Sequence, residues 1–111
     1  MSCIFCKIVK GEIPSKRVLE TDDLLAFHDV SPQAPTHLLV IPRRHVESVG
    51  DLADADAALA GALLLGCRDA ARKAGLSAYR VVANTGAAAG QSVFHLHLHV
   101  IGGRPLGWPP G

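Results

Sequence analysis

The sequence predicts a single α+β domain built on an antiparallel sheet. Apolar runs bounded by turn residues predict strands in both halves of the chain, and one long helical pattern separates the two sets. Strands joined by short, hairpin-like connections pair antiparallel, which distinguishes this pattern from a regular alternation of strands and helices. At 111 residues, with 49% apolar and 19% charged residues, the chain supports one hydrophobic core, so residues 1–111 are expected to form one domain.

A short helix and three strands are predicted before the long helix. Ser2 is the predicted N-cap of a helix over residues 3–10, and Gly11 is its predicted end. Pro32 and Pro35 make the segment 31–35 a rigid loop. The strands are expected at residues 18–20, 24–30 and 37–41.

The long helix is predicted over residues 54–74, with Gly75 as its end. Leu64 and Leu65 lie outside its predicted buried stripe, and a second packing partner such as another subunit would explain them. The stripe itself consists of Leu59, Leu63, Gly66, Cys67, Ala70 and Ala74. Two further strands, at 79–83 and 94–101, are joined by the loop 84–93, which is rich in small residues.

Three histidines alternate with apolar residues in the last predicted strand. Because successive side chains of a strand point to opposite faces, His95, His97 and His99 share one face, and Leu96 and Leu98 face the core. Such a row serves either a catalytic zinc ion or nucleophilic catalysis, in which neighbouring groups orient one attacking imidazole. The alternative is a solvent-exposed strand face on which the three histidines have no catalytic or binding role.

The loop before the histidines favours a phosphate as the ligand. Gly86 and Gly90 allow main-chain conformations that gather N–H groups around an anion. Asn84 and Ser92 offer side-chain hydrogen bonds to phosphate oxygens. Taken alone, the loop has a simpler interpretation as a flexible connection, but its position beside the histidines favours phosphate binding.

The segment 95–101, His-Leu-His-Leu-His-Val-Ile, resembles the signature of the histidine triad (HIT) superfamily. Residues 26–37, 39–42, 90–94 and the ending 107–111, Gly-Trp-Pro-Pro-Gly, resemble its Hint branch, the purine nucleoside phosphoramidases. This resemblance implies a HIT-like fold, a five-stranded antiparallel sheet with one long and one short helix, in a homodimer with a continuous ten-stranded sheet. It also implies hydrolysis of the P–N bond of nucleoside 5′-monophosphoramidates, AMP or GMP linked to an amine, through a covalent nucleotidyl-histidine.

The resemblance assigns roles to individual residues of this sequence. His97 corresponds to the nucleophile and His99 to the residue that contacts the phosphate and assists the leaving group, while His95 and His37 support them. Trp108 would approach the leaving group in the partner's site. The residues expected to bind the nucleotide are Asp29, Val30, Asn84, Gly90, Gln91, Ser92, Phe5, Ile8 and Phe27.

Some of these residues have a purely structural alternative. Asp29 suits the two hydroxyls of a ribose, because a carboxylate accepts two hydrogen bonds, but an aspartate before Ser-Pro is also a common turn residue. Phe5, Ile8, Phe27 and Leu39 suit a purine, whereas ordinary core packing explains such apolar residues equally well.

Cys3 and Cys6 have the C-x-x-C spacing of half a structural zinc site. Bacterial relatives in the wider superfamily carry the same pair, and the resemblance implies that His45 and His95 complete the site. The zinc would be structural, and catalysis is expected to require no cofactor. In the alternative interpretation both cysteines are plain residues of the first helix. Cys67 is expected to be a small core residue.

Charge and composition argue against other classes of partner. A net charge of +1 without a run of Lys and Arg gives no basis for binding polymeric nucleic acid. No signal segment and no membrane-spanning run is predicted, and three cysteines cannot all pair, so a cytoplasmic protein is expected. The expected partners are purine nucleoside 5′-monophosphate derivatives and a second copy of the chain.

Two other functions remain open from the sequence. A dinucleoside polyphosphate hydrolase or nucleotidyl transferase of the Fhit type shares the histidine strand, although the ending 107–111 favours the Hint pattern. The other is a non-enzymatic nucleotide-binding regulatory scaffold, against which the presence of His37 and Ser92 beside the three histidines argues.

Overall fold

The computed structural model describes residues 3–111 and confirms the predicted α+β class. Its helices and strands are α1 (Ile4–Val9), β1 (Arg17–Glu20), β2 (Leu24–His28), β3 (Thr36–Pro42), α2 (Ala57–Lys73), β4 (Tyr79–Val82) and β5 (Leu98–Gly102). All neighbouring strands pair antiparallel in the order β1-β2-β3-β5-β4, so β4 lies at one edge of the sheet.

The central strands separate two hydrophobic clusters, because alternate side chains point to opposite faces. On one face, Ala26 of β2 and Val40 of β3 pack with residues of α2 such as Leu63. On the other face, Phe27 and Leu39 pack with residues of α1. The two helices therefore cover opposite faces of the sheet.

Helix α2, Ala57–Lys73, is shorter than the predicted 54–74 and buries four of the six predicted stripe residues: Leu63, Gly66, Cys67 and Ala70. The predicted first residues 54–56 form a 3₁₀ turn, and Gly75, at φ +77°, follows the helix. Gly66 is required where α2 meets the sheet, since a Cβ there would lie 2.7 Å from Leu24 Cδ1. Leu59 and Ala74 are only half-buried, and Ala71 is buried in addition to the predicted residues.

No helix within residues 3–111 is both long and apolar enough to cross a membrane.

Helix α1 begins one residue later than predicted. Its N-cap is Cys3, whose Sγ accepts a hydrogen bond from the Cys6 N–H at 3.4 Å. The predicted cap, Ser2, lies outside the described residues. Gly11 has φ +78° and its N–H donates to the carbonyl of Ile8, which fits the predicted end of the helix.

The last strand is shorter than predicted, and this corrects the interpretation of the histidine segment. β5 starts at Leu98, whereas the sequence predicts a strand from residue 94. The partner strand β3 ends at Pro42, which has no N–H to continue the ladder, and β4 ends at Val82. His95 and His97 therefore precede the strand, and only His99 lies within it.

Candidate active site and metal centre

A cleft of about 1000 Å³ opens on the α1 side of the sheet. The alternation predicted for the histidine segment holds although the strand is short: Leu96 packs in the α2 cluster, and the rings of His97 and His99 lie 5.0 Å apart. Among the predicted site residues, the cleft is lined by His37, His97, His99, Asp29, Val30, Gly90, Ser92, Phe5, Ile8 and Phe27.

The main chain fixes the tautomer of His97. Its Nδ1 lies 2.7 Å from the carbonyl oxygen of His95, and because a carbonyl only accepts, Nδ1 carries the proton. In the neutral ring, Nε2 then keeps its lone pair. Phe5 packs edge-on against the ring at 5.1 Å and the residue is only 7% exposed, so the imidazole is held in one orientation. His97 thus offers an oriented nucleophilic nitrogen to the cleft.

A second chain of hydrogen bonds fixes His37 and His99. The Gln33 N–H donates to His37 Nδ1 at 3.0 Å, so His37 Nε2 carries the proton and donates to His99 Nδ1 at 2.8 Å. His99 Nε2 is then the protonated nitrogen, available as a donor. The site therefore presents one bare nitrogen, on His97, next to one N–H donor, on His99.

Burial lowers the pKa of the two supporting histidines. The pKa of His99 falls to about 4 because of desolvation, with further lowering by His97 and His37. Desolvation also lowers the pKa of His37, opposed by the carboxylate of Asp29. Both rings are consequently neutral in the free protein near pH 7. An anion bound in the cleft would raise these pKa values, since a negative charge favours the protonated ring.

Asp29 combines both roles considered from the sequence. Its Oδ1 accepts from the Ser31 N–H at 2.7 Å, which is the turn contact. Its Oδ2 lies 3.4 Å from His37 Nε2, and the residue lines the cleft with its neighbour Val30, which is 97% exposed. The carboxylate therefore lies beside His37 in the lining of the cleft.

The apolar end of the cleft is part of the core cluster on the α1 side. Phe5, Ile8, Phe27 and Leu39 are each at most 7% exposed and also line the cleft. Core packing and a ligand slot are therefore not exclusive here. Ser15 adds a polar atom that the sequence analysis missed: it lines the cleft, and within the described chain its buried Oγ has no hydrogen-bond partner.

The glycine-containing loop has the positive φ angles that glycine allows, but the N–H groups of Gly86, Gly90 and Gln91 donate within the loop and are not gathered around an anion site. Gly86 and Gly90 have φ of +89° and +101°, and a 3₁₀ turn, Ala87–Ala89, lies between them. Gln91 holds the loop from inside: Oε1 accepts from the Gly86 N–H, and Nε2 donates to the carbonyls of Glu47 and Val93. The Gln91 amide is thus occupied within the protein.

Asn84 and Gln91 do not line the cleft of the described chain, and neither does Trp108. The Asn84 side chain lies beside Gly90, where a Cβ would be 3.7 Å from its Nδ2. Trp108 is 83% exposed.

His95 belongs to a different cluster from the other triad residues. It is fully buried, its Nε2 lies 2.8 Å from the Pro42 carbonyl, and its Nδ1 faces Cys3, Cys6 and His45. Because the carbonyl only accepts, Nε2 carries the proton and Nδ1 keeps its lone pair. Burial lowers the pKa of His95, with opposition from the Pro42 hydrogen bond and further lowering by His45 and His97.

The four predicted zinc ligands converge on one point. His95 Nδ1 lies 3.4 Å from Cys3 Sγ, 3.5 Å from Cys6 Sγ and 3.2 Å from His45 Nδ1, and Cys6 Sγ lies 3.4 Å from His45 Nδ1. Zinc bonds of about 2.3 Å to sulfur and 2.05 Å to nitrogen, set tetrahedrally, separate sulfur from nitrogen by about 3.6 Å and two nitrogens by about 3.3 Å. The donor set fits a tetrahedral zinc ion.

The pKa of Cys6 is consistent with a site at which a metal ion would displace the thiol proton. Burial raises the pKa of Cys6, as do the hydrogen bond and the charge of Cys3, while Lys10 opposes the shift. The thiol therefore keeps its proton near pH 7, and a metal would displace it. Burial alone raises the pKa of Cys67 to about 11, which confirms an inert core residue.

Several functional contacts come from the main chain, where the sequence gives no signal. The Gln33 N–H and the carbonyls of Pro42 and His95 set the tautomers of three histidines. Any residue type supplies such groups, so side-chain patterns do not reveal them.

The family model and the curated relatives that match this chain point to the same family. The HIT domain family matches residues 10–106. Uncharacterized HIT-like proteins of Synechocystis sp. and Synechococcus elongatus are each 50% identical over 109 residues, which are 97% of this chain and 96% of the relative.

Solved structures share the fold over almost the whole chain. A HIT family hydrolase of Legionella pneumophila superposes with a TM-score of 0.96 at 47% identity, covering 99% of this chain and 100% of that chain. A histidine triad protein of Clostridium difficile gives 0.92 at 41% identity, with 96% and 95% covered. These neighbours confirm the predicted five-stranded fold.

Proposed function

The chain belongs to the HIT domain family as a hydrolase-like member, and from this premise we propose that it hydrolyses the P–N bond of nucleoside 5′-monophosphoramidates. One observation carries the proposal: His97 has its Nδ1 proton tied to a carbonyl and its Nε2 left bare, in a cleft with a neighbouring N–H donor on His99. A fixed lone pair beside a donor is the arrangement that nucleophilic attack on phosphorus needs.

The first half of the reaction forms a covalent intermediate. His97 Nε2 attacks phosphorus, the P–N bond breaks, and the amine leaves with the bonding electron pair and one proton. Because His99 is neutral in the free protein, the charge of the bound phosphate raises its pKa and lets it hold the proton that the amine takes. Ser92 and Gly90 line the cleft, and we assign the Ser92 hydroxyl to the phosphate oxygens.

The second half returns the enzyme to its starting state. Water attacks the phosphorus of the nucleotidyl-histidine, His97 leaves as the neutral ring, and the nucleoside monophosphate is released. The proton removed from water passes to His99, which releases it to solvent when the negatively charged product leaves the cleft, so the same pair of imidazoles serves both steps. No cofactor is needed for either step.

The shape of the cleft supports a nucleoside as the remainder of the substrate. Asp29 lines the cleft with its Oδ2 3.4 Å from His37 Nε2, and we assign it the two hydroxyls of the ribose. Phe5, Phe27 and Leu39 supply apolar lining suited to a purine. We therefore place the nucleobase at the apolar end and the phosphate at His97.

A comparison of two substrates tests this function. We expect kcat/KM for an adenosine phosphoramidate to exceed that for a diadenosine polyphosphate by about 100-fold or more, which corresponds to about 2.7 kcal/mol of transition-state free energy. The opposite order would favour the Fhit-type hydrolase. Turnover below about 10⁻³ s⁻¹ on every nucleotide, far slower than ordinary enzymes, would favour a regulatory scaffold.

We propose that the cluster of Cys3, Cys6, His45 and His95 binds one structural zinc ion. The distances between the four ligand atoms and the hydrogen bond from His95 to the Pro42 carbonyl, an outer partner typical of zinc-bound histidine, support this. These four ligands would hold the ion apart from the ring nitrogens of His97 and His99 in the cleft, so the ion would stabilise the fold. Reduced cysteines suit a cytoplasmic location, which we also propose.

We propose that two copies of the chain pair through β4 and α2. β4 is an edge strand with unpaired main-chain groups, so a second copy would extend the sheet to ten strands. On α2, Leu64 and Leu65 are 59% and 51% exposed. Trp108 is exposed as well, as expected for a residue that contacts a partner's site.

Light scattering tests the dimer. We expect twice the 11.7 kDa of one chain, and we expect Leu65→Arg to give the monomer, because an arginine would bury its charge in the contact. Val49→Arg is the matched control, since Val49 is 45% exposed and belongs to neither α2 nor β4. A wild-type mass of one chain, or an intact dimer with Leu65→Arg, would contradict this arrangement.

A further inference from the structure

His95 connects the cysteine–histidine cluster to the candidate nucleophile through one peptide unit. Its ring lies in the cluster, 3.2 Å from His45 Nδ1, while its carbonyl accepts the Nδ1 proton of His97 at 2.7 Å. The N–H of the same peptide unit belongs to Leu96 and donates to the carbonyl of Val46 at 2.6 Å. That unit is therefore held between Val46 on one side and His97 on the other.

We propose that His95 is a positioning residue, through which the occupied cysteine–histidine cluster fixes the tautomer and orientation of His97. The inference rests on the proposed role of His97 as nucleophile. It gives the cluster a function beyond holding the fold: its ligands would control the reactivity of a residue that they do not touch.

The segment that carries His95 is held by few contacts besides the cluster. Residues 94–97 lie outside the sheet ladder, so no strand partner orients the carbonyl of His95. Three anchors remain: the buried side chain of Leu96, its main-chain hydrogen bond to Val46, and the hydrogen bond from the His95 ring to the Pro42 carbonyl. Val46 directly follows His45, so the second anchor also depends on where the cluster holds His45.

Loss of the cluster would loosen both sides of that peptide unit. His45 is exposed, and without a shared ion only a hydrogen bond from its Nδ1–H to the bare Nδ1 of His95 would hold the two rings 3.2 Å apart. The segments 45–46 and 95–96 would then move relative to each other, and the carbonyl of His95 would turn away from His97 Nδ1. A free neutral imidazole populates both tautomers, and only the one with a bare Nε2 is suited to attack.

Nitrogen NMR of the histidine rings tests the coupling without substrate. In ¹⁵N-labelled full-length protein loaded with zinc, we expect His97 in the single Nδ1–H tautomer. After removal of the metal with a chelator, we expect both tautomers at His97, with recovery when zinc is returned. The inference is overturned if the His97 signals are the same in both states while those of His45 and His95 report loss of the metal.

If the metal-free protein unfolds, a single-residue variant still tests the coupling between the cluster and His97. His45→Asn removes one exposed ligand and leaves the buried His95 with both cysteines, so the chain is expected to fold. We expect mixed tautomers at His97 and a kcat lower by roughly 10- to 100-fold, the range found for residues that orient a reacting group, with KM within about twofold. Cys67→Ala, a cysteine outside the cluster, is the control and should retain the single tautomer.

These results separate the inference from the proposed function. If no phosphoramidate is hydrolysed and no nucleotidyl-histidine forms, the proposed function fails, but the tautomer of His97 still reports the coupling. If turnover is normal in His45→Asn and His97 keeps one tautomer, the cluster only stabilises the fold, and the inference is wrong.

Discussion

Replacing His97 with alanine is expected to lower kcat by about 10⁴-fold or more, the scale found when an enzyme loses its nucleophile. Without Nε2 of His97 no covalent intermediate forms. The neighbouring imidazoles cannot replace it, because the free nitrogen of His99 carries a proton and has no lone pair, and His95 is fully buried. Nucleotide binding should change little, since Asp29 and the apolar end of the cleft are untouched. Single-turnover kinetics and titration with a nucleoside monophosphate measure the two effects separately.

Trapping the intermediate identifies the nucleophile directly. Wild-type protein mixed with an adenosine phosphoramidate, quenched in base and digested should yield a peptide with AMP on His97. His97→Gly gives a further control, because free imidazole can occupy the vacated space and restore part of the turnover. Nucleotide found on His99, or an alanine variant with near-normal kcat, would reassign the nucleophile.

The sequence predicts the fold well because its main signals are local. Periodicity gives the stripe of α2, and turn residues separate the strands; Gly75 and Gly11 mark helix ends through their positive φ. The start of β5 is the exception, since the strand begins at Leu98 and not at residue 94. Strand pairing depends on the partner, and the missing N–H of Pro42, far away in sequence, terminates the ladder before His97.

The candidate site was predictable in its residue types and only partly in its arrangement. The alternation at 95–99 correctly places the three histidines on one face. Alternation does not show that the face is divided, with His95 in the cluster with the cysteines and His97 and His99 in the cleft. That division arises because α1 brings Cys3 and Cys6 over one end of the segment.

Gln91 shows why a residue near a ligand loop need not contact the ligand. A polar side chain between Gly90 and Ser92 is a reasonable candidate for phosphate binding by sequence. In the structure its amide bonds three main-chain groups of the protein and is 4% exposed. Its contribution is to hold the loop that carries Ser92, and only the tertiary contacts with Glu47 reveal this.

Removal of the zinc ligands is expected to cause the largest change in stability. A ligand present at 100 to 1,000 times its Kd stabilises the folded state by about 2.7 to 4.1 kcal/mol. In a domain of this size 1 kcal/mol moves Tm by about 4–8 °C, so we expect Cys3→Ser with Cys6→Ser to lower Tm by roughly 10–30 °C. Calorimetry on protein purified without an affinity tag measures this shift.

Metal content decides whether that loss of stability comes from zinc. Elemental analysis should find about one equivalent in the wild type and in Cys67→Ala, and less than a tenth in the double serine variant. Cys67→Ala is an informative control because its own cost comes from packing on α2, with Cys67 1% exposed and distant from the cluster. Chelation should lower the wild-type Tm to that of the serine variant and leave the serine variant unchanged.

Less than half an equivalent of zinc in the wild type, with no fall in Tm on mutation, would show that the four side chains pack without a metal. In that case a hydrogen bond from His45 Nδ1–H to the bare Nδ1 of His95 holds the two imidazoles 3.2 Å apart, and the Tm should not respond to added zinc.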